Sequence, residues 1–227
     1  MLLPLLLAAA LPASADPRGA DPRGHELSAE LGGLPTREES FGLFTDQPLT
    51  RSWGLRGAFG FGPHLSLLGD LQVSRTGTLY SLDDYEQGVS EDDALVASLQ
   101  TTTLAVGPKA RLPLGEKGRI APYAALQGVA LFSAARLDDD PTADDNPGQL
   151  TQRVAAVGLR GVVGAEWAMF AAGGLQGVLH LEAGYLGALP GKVRDHTSAP
   201  DATGEAPVLG DLQHGGAVVQ AGVGVRF

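Results

Sequence analysis

The sequence predicts an all-β fold: an eight-stranded antiparallel up-and-down transmembrane β-barrel with a side-chain-filled lumen. Three observations lead there. Apolar residues alternate with polar or tiny ones in eight runs of roughly ten residues, the period of a strand with two different faces. The connections between the runs alternate short and long. The charges inside the runs gather on one face and leave the other apolar.

The elements justify themselves in order. From His25, Leu27, Ala29 and Leu31 face one way, and Glu26, Ser28 and Glu30 the other. From Trp53, Leu55, Gly57, Phe59 and Phe61 oppose Arg56, Ala58 and Gly60. From Leu65, Leu67, Gly69, Leu71 and Val73 oppose Ser66, Leu68, Asp70 and Gln72. The fourth run, 99–112, sets Leu104 and Val106 against Thr101, Thr103, Lys109 and Arg111. The fifth, 120–132, is the least distinct, because both faces are small or apolar. The sixth sets Val157, Leu159, Val163, Ala165 and Trp167 against Gln152, Arg160 and Glu166. The seventh sets Leu179, Leu181, Ala183 and Tyr185 against His180 and Glu182. In the eighth, Ala217, Val219, Ala221, Val223, Val225 and Phe227 oppose Gln220 and Arg226. The short connections are 62–64, 113–119 and 168–177; the long ones are 34–50, 74–98, 133–150 and 186–213. Transmembrane barrels have this asymmetry, with short periplasmic turns and long outer loops, and an even strand number brings both termini to the periplasmic side.

The two faces then decide which way round the barrel is. About nine to eleven tilted residues cross a bilayer, and strands in hydrocarbon must close into a barrel to satisfy their backbones. The uncharged faces are read as lipid-facing. Arg51 and Arg153 share that parity but fall at loop-side strand ends, where long side chains reach the headgroups. The opposite face carries five acids (Glu26, Glu30, Asp70, Glu166, Glu182), five bases (Arg56, Lys109, Arg111, Arg160, Arg226) and His180. An eight-stranded barrel has an interior that side chains fill. A balanced set suits it, because unpaired buried charge is costly. The competing soluble barrel or sandwich would reverse this polarity, and a helix over 161–181 is weakened by Glu166 and by its glycines. Trp53, Phe59, Phe61, Tyr123, Phe132, Trp167, Tyr185 and Phe227 are the candidates for interfacial aromatic girdles.

Composition narrows the function. The 227 residues include no Cys, which excludes disulfides, thiolate metal sites and a Cys nucleophile. A net charge of −10 without a basic cluster argues against nucleic acid. No phosphate-binding loop is present. Residues 2–11 form a short apolar run before Ala13-Ser14-Ala15, the pattern of a signal peptide cleaved after Ala15. The expected organisation is a signal peptide at 1–15, a polar spacer at 16–24 with two Asp-Pro-Arg-Gly units, and a barrel at 25–227.

With its leader and its last run ending in Val223, Val225 and Phe227, the sequence resembles the small outer-membrane β-barrels of Gram-negative bacteria, the OmpA/OmpX/OmpW type. The resemblance covers the chain after the leader in layout. In motif it covers the leader and 215–227. It implies an outer-membrane location, surroundings of lipid and lipopolysaccharide, and a terminal aromatic pattern read by the barrel-assembly machinery.

Candidate sites are few. The four long connections carry net charges of −2, −5, −4 and −2. Asp138, Asp139, Asp140, Asp144 and Asp145 are candidates for divalent cations, since carboxylates suit Ca²⁺; solvated acidic loops are the simpler reading. His64-Leu65-Ser66 is similar to the His-x-Ser of lipid A deacylases, but Pro63 and Leu67 depart from that family's Arg-His-x-Ser-Asn, and the pair falls on a short turn. His180 and Glu182 are read as members of the lumen charge network. His25 and His214 are placed at opposite rims. The strand glycines are read as permitting bends and close packing. No catalytic constellation and no cofactor are expected. The expected role is structural or surface-interactive, with a small-solute transport barrel of OmpW type or a lipid A-modifying enzyme as alternatives.

Overall fold

The computed structural model describes residues 24–35, 49–81, 94–114, 119–138, 150–172, 174–194 and 208–227. The signal-peptide expectation (1–15) and nearly all of the spacer fall outside the described residues. Ten strands are seen: β1 (Glu26–Pro35), β2 (Leu49–Gly60), β3 (Leu65–Ser81), β4 (Ala94–Arg111), β5 (Ile120–Asp138), β6 (Leu150–Ala172), β7 (Leu175–Ala188), β8 (Gly191–Arg194), β9 (Val208–Leu212) and β10 (Gly215–Arg226). Eight of them close into an antiparallel barrel in the order β1-β10-β7-β6-β5-β4-β3-β2. The seam pairs β1 with β10 from Glu26↔Arg226 to Gly33↔Val219. At its lower end the His25 and Phe227 backbones exchange two hydrogen bonds of 2.8 Å. Every strand of the barrel is thus paired on both sides, as a strand in hydrocarbon requires.

Side-chain direction follows the period-two pattern. Leu27, Leu31, Trp53, Leu55, Phe59, Leu104, Val106, Leu159, Val163, Trp167, Leu181 and Val219 are exposed on the outside. Glu26, Glu30, Arg56, Asp70, Lys109, Arg160, Glu166, His180 and Glu182 are buried inside. The apolar surface is therefore outward and the polar one inward, the reverse of a soluble barrel.

Three expectations need correction. First, several strands are longer than the periodic runs: β4 has 18 residues, β5 19 and β6 23. In β4 and β5 the extra length lies on the long-connection side, whereas β6 runs on to Ala172 through most of the expected short connection 168–177. Residues Ser74–Ser81, expected as part of a connection, pair from Ser74↔Thr101 to Ser81↔Ala94 although their sequence carries little apolar/polar alternation. Second, the segment 186–213, expected as one loop, contains β8 and β9. They continue the β7–β10 hairpin with a slip of one residue: Gly187 faces Gly215, but Gly191 faces Leu212. Pro190 stands in the gap and has no N–H to donate to the ladder. Third, Tyr123 is 5 % exposed and points into the lumen rather than joining an aromatic girdle.

Candidate functional site: the filled lumen

The lumen is stratified, and each layer follows from which strands bring polar side chains to that height. The layer nearest the short turns is built on β4, β6 and β10. Glu166 on β6 receives the Lys109 ammonium and lies 2.6 Å from Arg226 Nη2. The same Arg226 nitrogen reaches Glu26 at 2.7 Å, so one guanidinium joins β1 to β6 across the seam. Arg111 sits at the rim, 3.6 Å from Glu166, and its Nε donates to the Pro63 carbonyl at 2.8 Å. The Lys109 ammonium also lies 4.4 Å from the centre of the Tyr123 ring, a cation–π contact.

The middle layer centres on Arg56, which is 1 % exposed. Its Nη1 and Nη2 donate to the two oxygens of Glu182 at 2.9 and 2.8 Å, the fork geometry that makes arginine–carboxylate pairs strong. Its Nε lies 2.7 Å from both Asp70 and Glu30. Asp70 also pairs with Arg160 and accepts from Gln127 Nε2 at 2.7 Å. Arg160 in turn donates to Gln127 Oε1 and Gln220 Oε1. Tyr123 donates to Glu182 at 2.6 Å, and Gln72 to Glu30 at 3.1 Å. His180 stands between the layers, with Nε2 3.0 Å from Glu30 and Nδ1 4.0 Å from Glu26.

Towards the long-connection end the charges give way to hydroxyls and hydrocarbon. Ser133 Oγ lies 2.9 Å from Thr101 Oγ1 and 3.0 Å from His214 Nε2. Leu34, Ala105, Val129, Leu131, Leu186 and Val218 pack into one buried cluster at this level. The described interior is thus filled by ionic pairs and by an apolar cluster.

Where two large groups would collide, the wall is glycine. A Cβ on Gly222 would run into the His180 ring, and one on Gly164 would meet the Tyr123 ring. These small residues make room for the network's side chains in a narrow barrel.

The residues singled out in the sequence that the structure describes each have a definite place. The eleven lumen residues share one interior and are brought together by closure. Val223 and Phe227 are exposed on the outer face, with Val225 half-buried beside them. His25 is at the lower rim, its ring 4.5 Å from Phe59 and 6.0 Å from Phe227. His214 is buried near the opposite end. His64 is exposed in its turn, its Nδ1 3.3 Å from the Arg111 carbonyl oxygen, and has no nucleophile–base relation to the half-buried Ser66. Asp139, Asp140, Asp144 and Asp145 lie outside the described residues, and Asp138 ends β5. Among the described residues no group of three His, Asp or Glu side chains could hold a metal ion. Sequence reading missed Tyr123 and Gln127, and it placed Gln72 and Gln220 on the polar face without naming them in the charge network. Parity was the available signal, since Tyr123 and Gln127 share a face with Ser133 on one strand.

No family model matches the chain, and no curated protein matches it. Solved structures do. The Yersinia pestis attachment invasion locus protein Ail, crystallised with the heparin analogue sucrose octasulfate, superposes with a TM-score of 0.50 at 16% identity. That match covers 90% of this chain and 99% of Ail. Neisserial surface protein A superposes with a TM-score of 0.47 at 9% identity, covering 89% and 95%. The chain has the fold of the small eight-stranded outer-membrane β-barrels.

Proposed function

We propose that this chain is an outer-membrane protein of a Gram-negative bacterium. Its barrel is a sealed anchor, and its long outward hairpins and acidic connections make its contacts at the cell surface. One observation carries the reading: an interior with paired charges below an apolar cluster, inside a wall whose outward residues are hydrocarbon. A sealed lumen supports an anchor over a channel. It also speaks against the OmpW-like transport alternative, which needs an open bore or a lateral gap. The lipid A-modifying alternative lacks a converging nucleophile, base and acid among the described residues.

The acid excess of the long connections supports partners of complementary charge. Contact with lipopolysaccharide through bridging divalent cations at Asp138–Asp140 and Asp144–Asp145 is one form of this, since hard carboxylate oxygens suit such ions. The Ail structure holds a polysulfated sugar, whereas acidic connections here would repel a polyanion. In this reading Val223, Val225 and Phe227 form the signal for the assembly machinery, and a signal peptide ending at Ala15 delivers the chain to it.

The test is fractionation followed by gel mobility. An outer-membrane band that migrates faster unboiled than boiled is expected. A soluble protein without that shift would overturn the membrane reading. In planar bilayers the sealed barrel should pass no single-channel current, and steady conductance would move the transport reading to first place.

A further inference from the structure

Three polar atoms in the lower lumen have no hydrogen-bond partner among the described residues: Glu26 Oε1, Ser28 Oγ and His180 Nδ1. Their residues are 4, 2 and 1 % exposed, so bulk water does not serve them. Leaving a buried polar atom unpaired is expensive, and native interiors hold few such atoms.

Register brings the three together. Glu26, Ser28 and Glu30 alternate along the buried face of β1. They stand opposite Arg226, Gly224 and Gly222 of β10, and Gly222 is in turn opposite His180 of β7. The imidazole lies over Gly222, where a Cβ would strike its Cε1 and Nε2. Its Nε2 is 3.0 Å from Glu30 Oε1, while its Nδ1 is 4.0 Å from Glu26 Oε1. Ser28 stands between those two carboxylates on the same face. A gap of 4.0 Å is too long for a hydrogen bond, but it suits one water with two legs of about 2.8 Å.

We propose that one ordered water is bound between Glu26 Oε1, Ser28 Oγ and His180 Nδ1, and that His180 is the neutral tautomer with its proton on Nε2. The hydrogen count then closes. The Ser28 hydroxyl donates to the water, the water donates to Glu26 and to Nδ1, and Nε2 donates to Glu30. An imidazolium fits less well, because its Nδ1–H would draw a carboxylate to about 2.7–2.9 Å. The carboxylates around the ring also have cations already. Glu30 and Glu182 hold Arg56, Glu26 holds Arg226, and Glu166, opposite His180 on β6, holds Lys109 and Arg226. The bound water joins the middle layer to the lower one, from Glu30 through His180 to Glu26 and Arg226. A water with three polar partners is a fixed part of a structure rather than a sign of an open bore.

Two measurements on the refolded full chain test this. A crystal structure fine enough to show internal waters should place one density peak about 2.7–3.2 Å from all three atoms. Nitrogen NMR of histidine-labelled protein at neutral pH should show His180 protonated on Nε2 and bare on Nδ1, its signals identified by their loss in His180→Asn. Ser28→Val puts hydrocarbon in the water's place. It should abolish the peak and lower the folding equilibrium about ten- to a hundredfold. Ser28→Ala leaves the water two partners, enough to hold it, and should keep both the peak and the tautomer. Direct contact between Glu26 and Nδ1 without a peak would overturn the proposal. So would protons on both ring nitrogens, or a peak at the shorter distances of a metal ion, about 2.0–2.6 Å. An unchanged folding equilibrium in a folded Ser28→Val would also overturn it. Both wild-type readouts decide the matter whether or not that variant folds.

Discussion

Arg56→Ala tests whether the lumen is dry. The guanidinium is 1 % exposed and lies within 2.9 Å of oxygens from Glu182, Asp70 and Glu30. Truncation leaves three carboxylates with reduced compensation. Asp70 keeps Arg160 and Gln127, Glu30 keeps His180 and Gln72, and Glu182 keeps only the Tyr123 hydroxyl of the partners named above. Removing one partner from a buried ionic group costs about 3–5 kcal/mol, roughly two to four orders of magnitude in the folding equilibrium. The assay is urea titration in phospholipid vesicles, with the folded fraction read from the gel shift. Adding Glu182→Gln removes the worst-placed charge. The double variant should therefore be less destabilised than the sum of the singles, with a coupling of about 0.5–3 kcal/mol. A cost below about 1 kcal/mol for Arg56→Ala, with additive singles, would refute the reasoning. That result would mean water replaces the lost partner, in a lumen wet enough to reopen the transport reading.

Other outcomes follow from the same geometry. Leu181→Arg, on the outer face and halfway along β7, should cost about 2–4 kcal/mol in bilayers, the midplane penalty for arginine on a barrel wall. An unchanged urea midpoint would contradict the inside-out assignment. Tyr123→Phe removes a 2.6 Å hydrogen bond to a carboxylate and should cost about 1.5–3 kcal/mol by the same titration; a neutral result would return Tyr123 to a packing role. Gly222→Ala drives a methyl into the His180 ring and should cost about 1–3 kcal/mol. Gly161→Ala, where a Cβ meets nothing within 4 Å, should be neutral or slightly stabilising through the unfolded chain. Equal effects at the two glycines would show that the ring does not need the space.

Much of the wall was legible in the residues. In β1, β2, β7 and β10 one face meets hydrocarbon and the other meets charge, so alternation is strong and assigns each side chain. Legibility failed where that contrast fades. The ends of β3, β4 and β5 toward the long connections alternate weakly between apolar and polar residues, so their pairing left little periodic mark. β8 and β9 are short and follow Pro190, which reads as a break. Tyr123 was misplaced because an aromatic in a barrel sequence suggests an interfacial belt, and its strand, small and apolar on both faces, gave parity little to work with. In the structure its hydroxyl is spent on Glu182.

By itself the sequence determined the number of barrel strands, the alternation of short and long connections and, Tyr123 apart, which charged side chains turn inward. These are local properties: period two, turn residues and charge parity are written within a few positions of each other. The tertiary structure alone decided which acid meets which base. Arg56 and Glu182 are 126 residues apart, and Arg226 and Glu26 are 200 apart. Their contacts depend on the registers of the intervening strands and on closure of the β1–β10 seam. A period of two tells a side chain which face to take. It carries no record of how far around the barrel, or how high along its axis, the neighbouring strands will bring a partner.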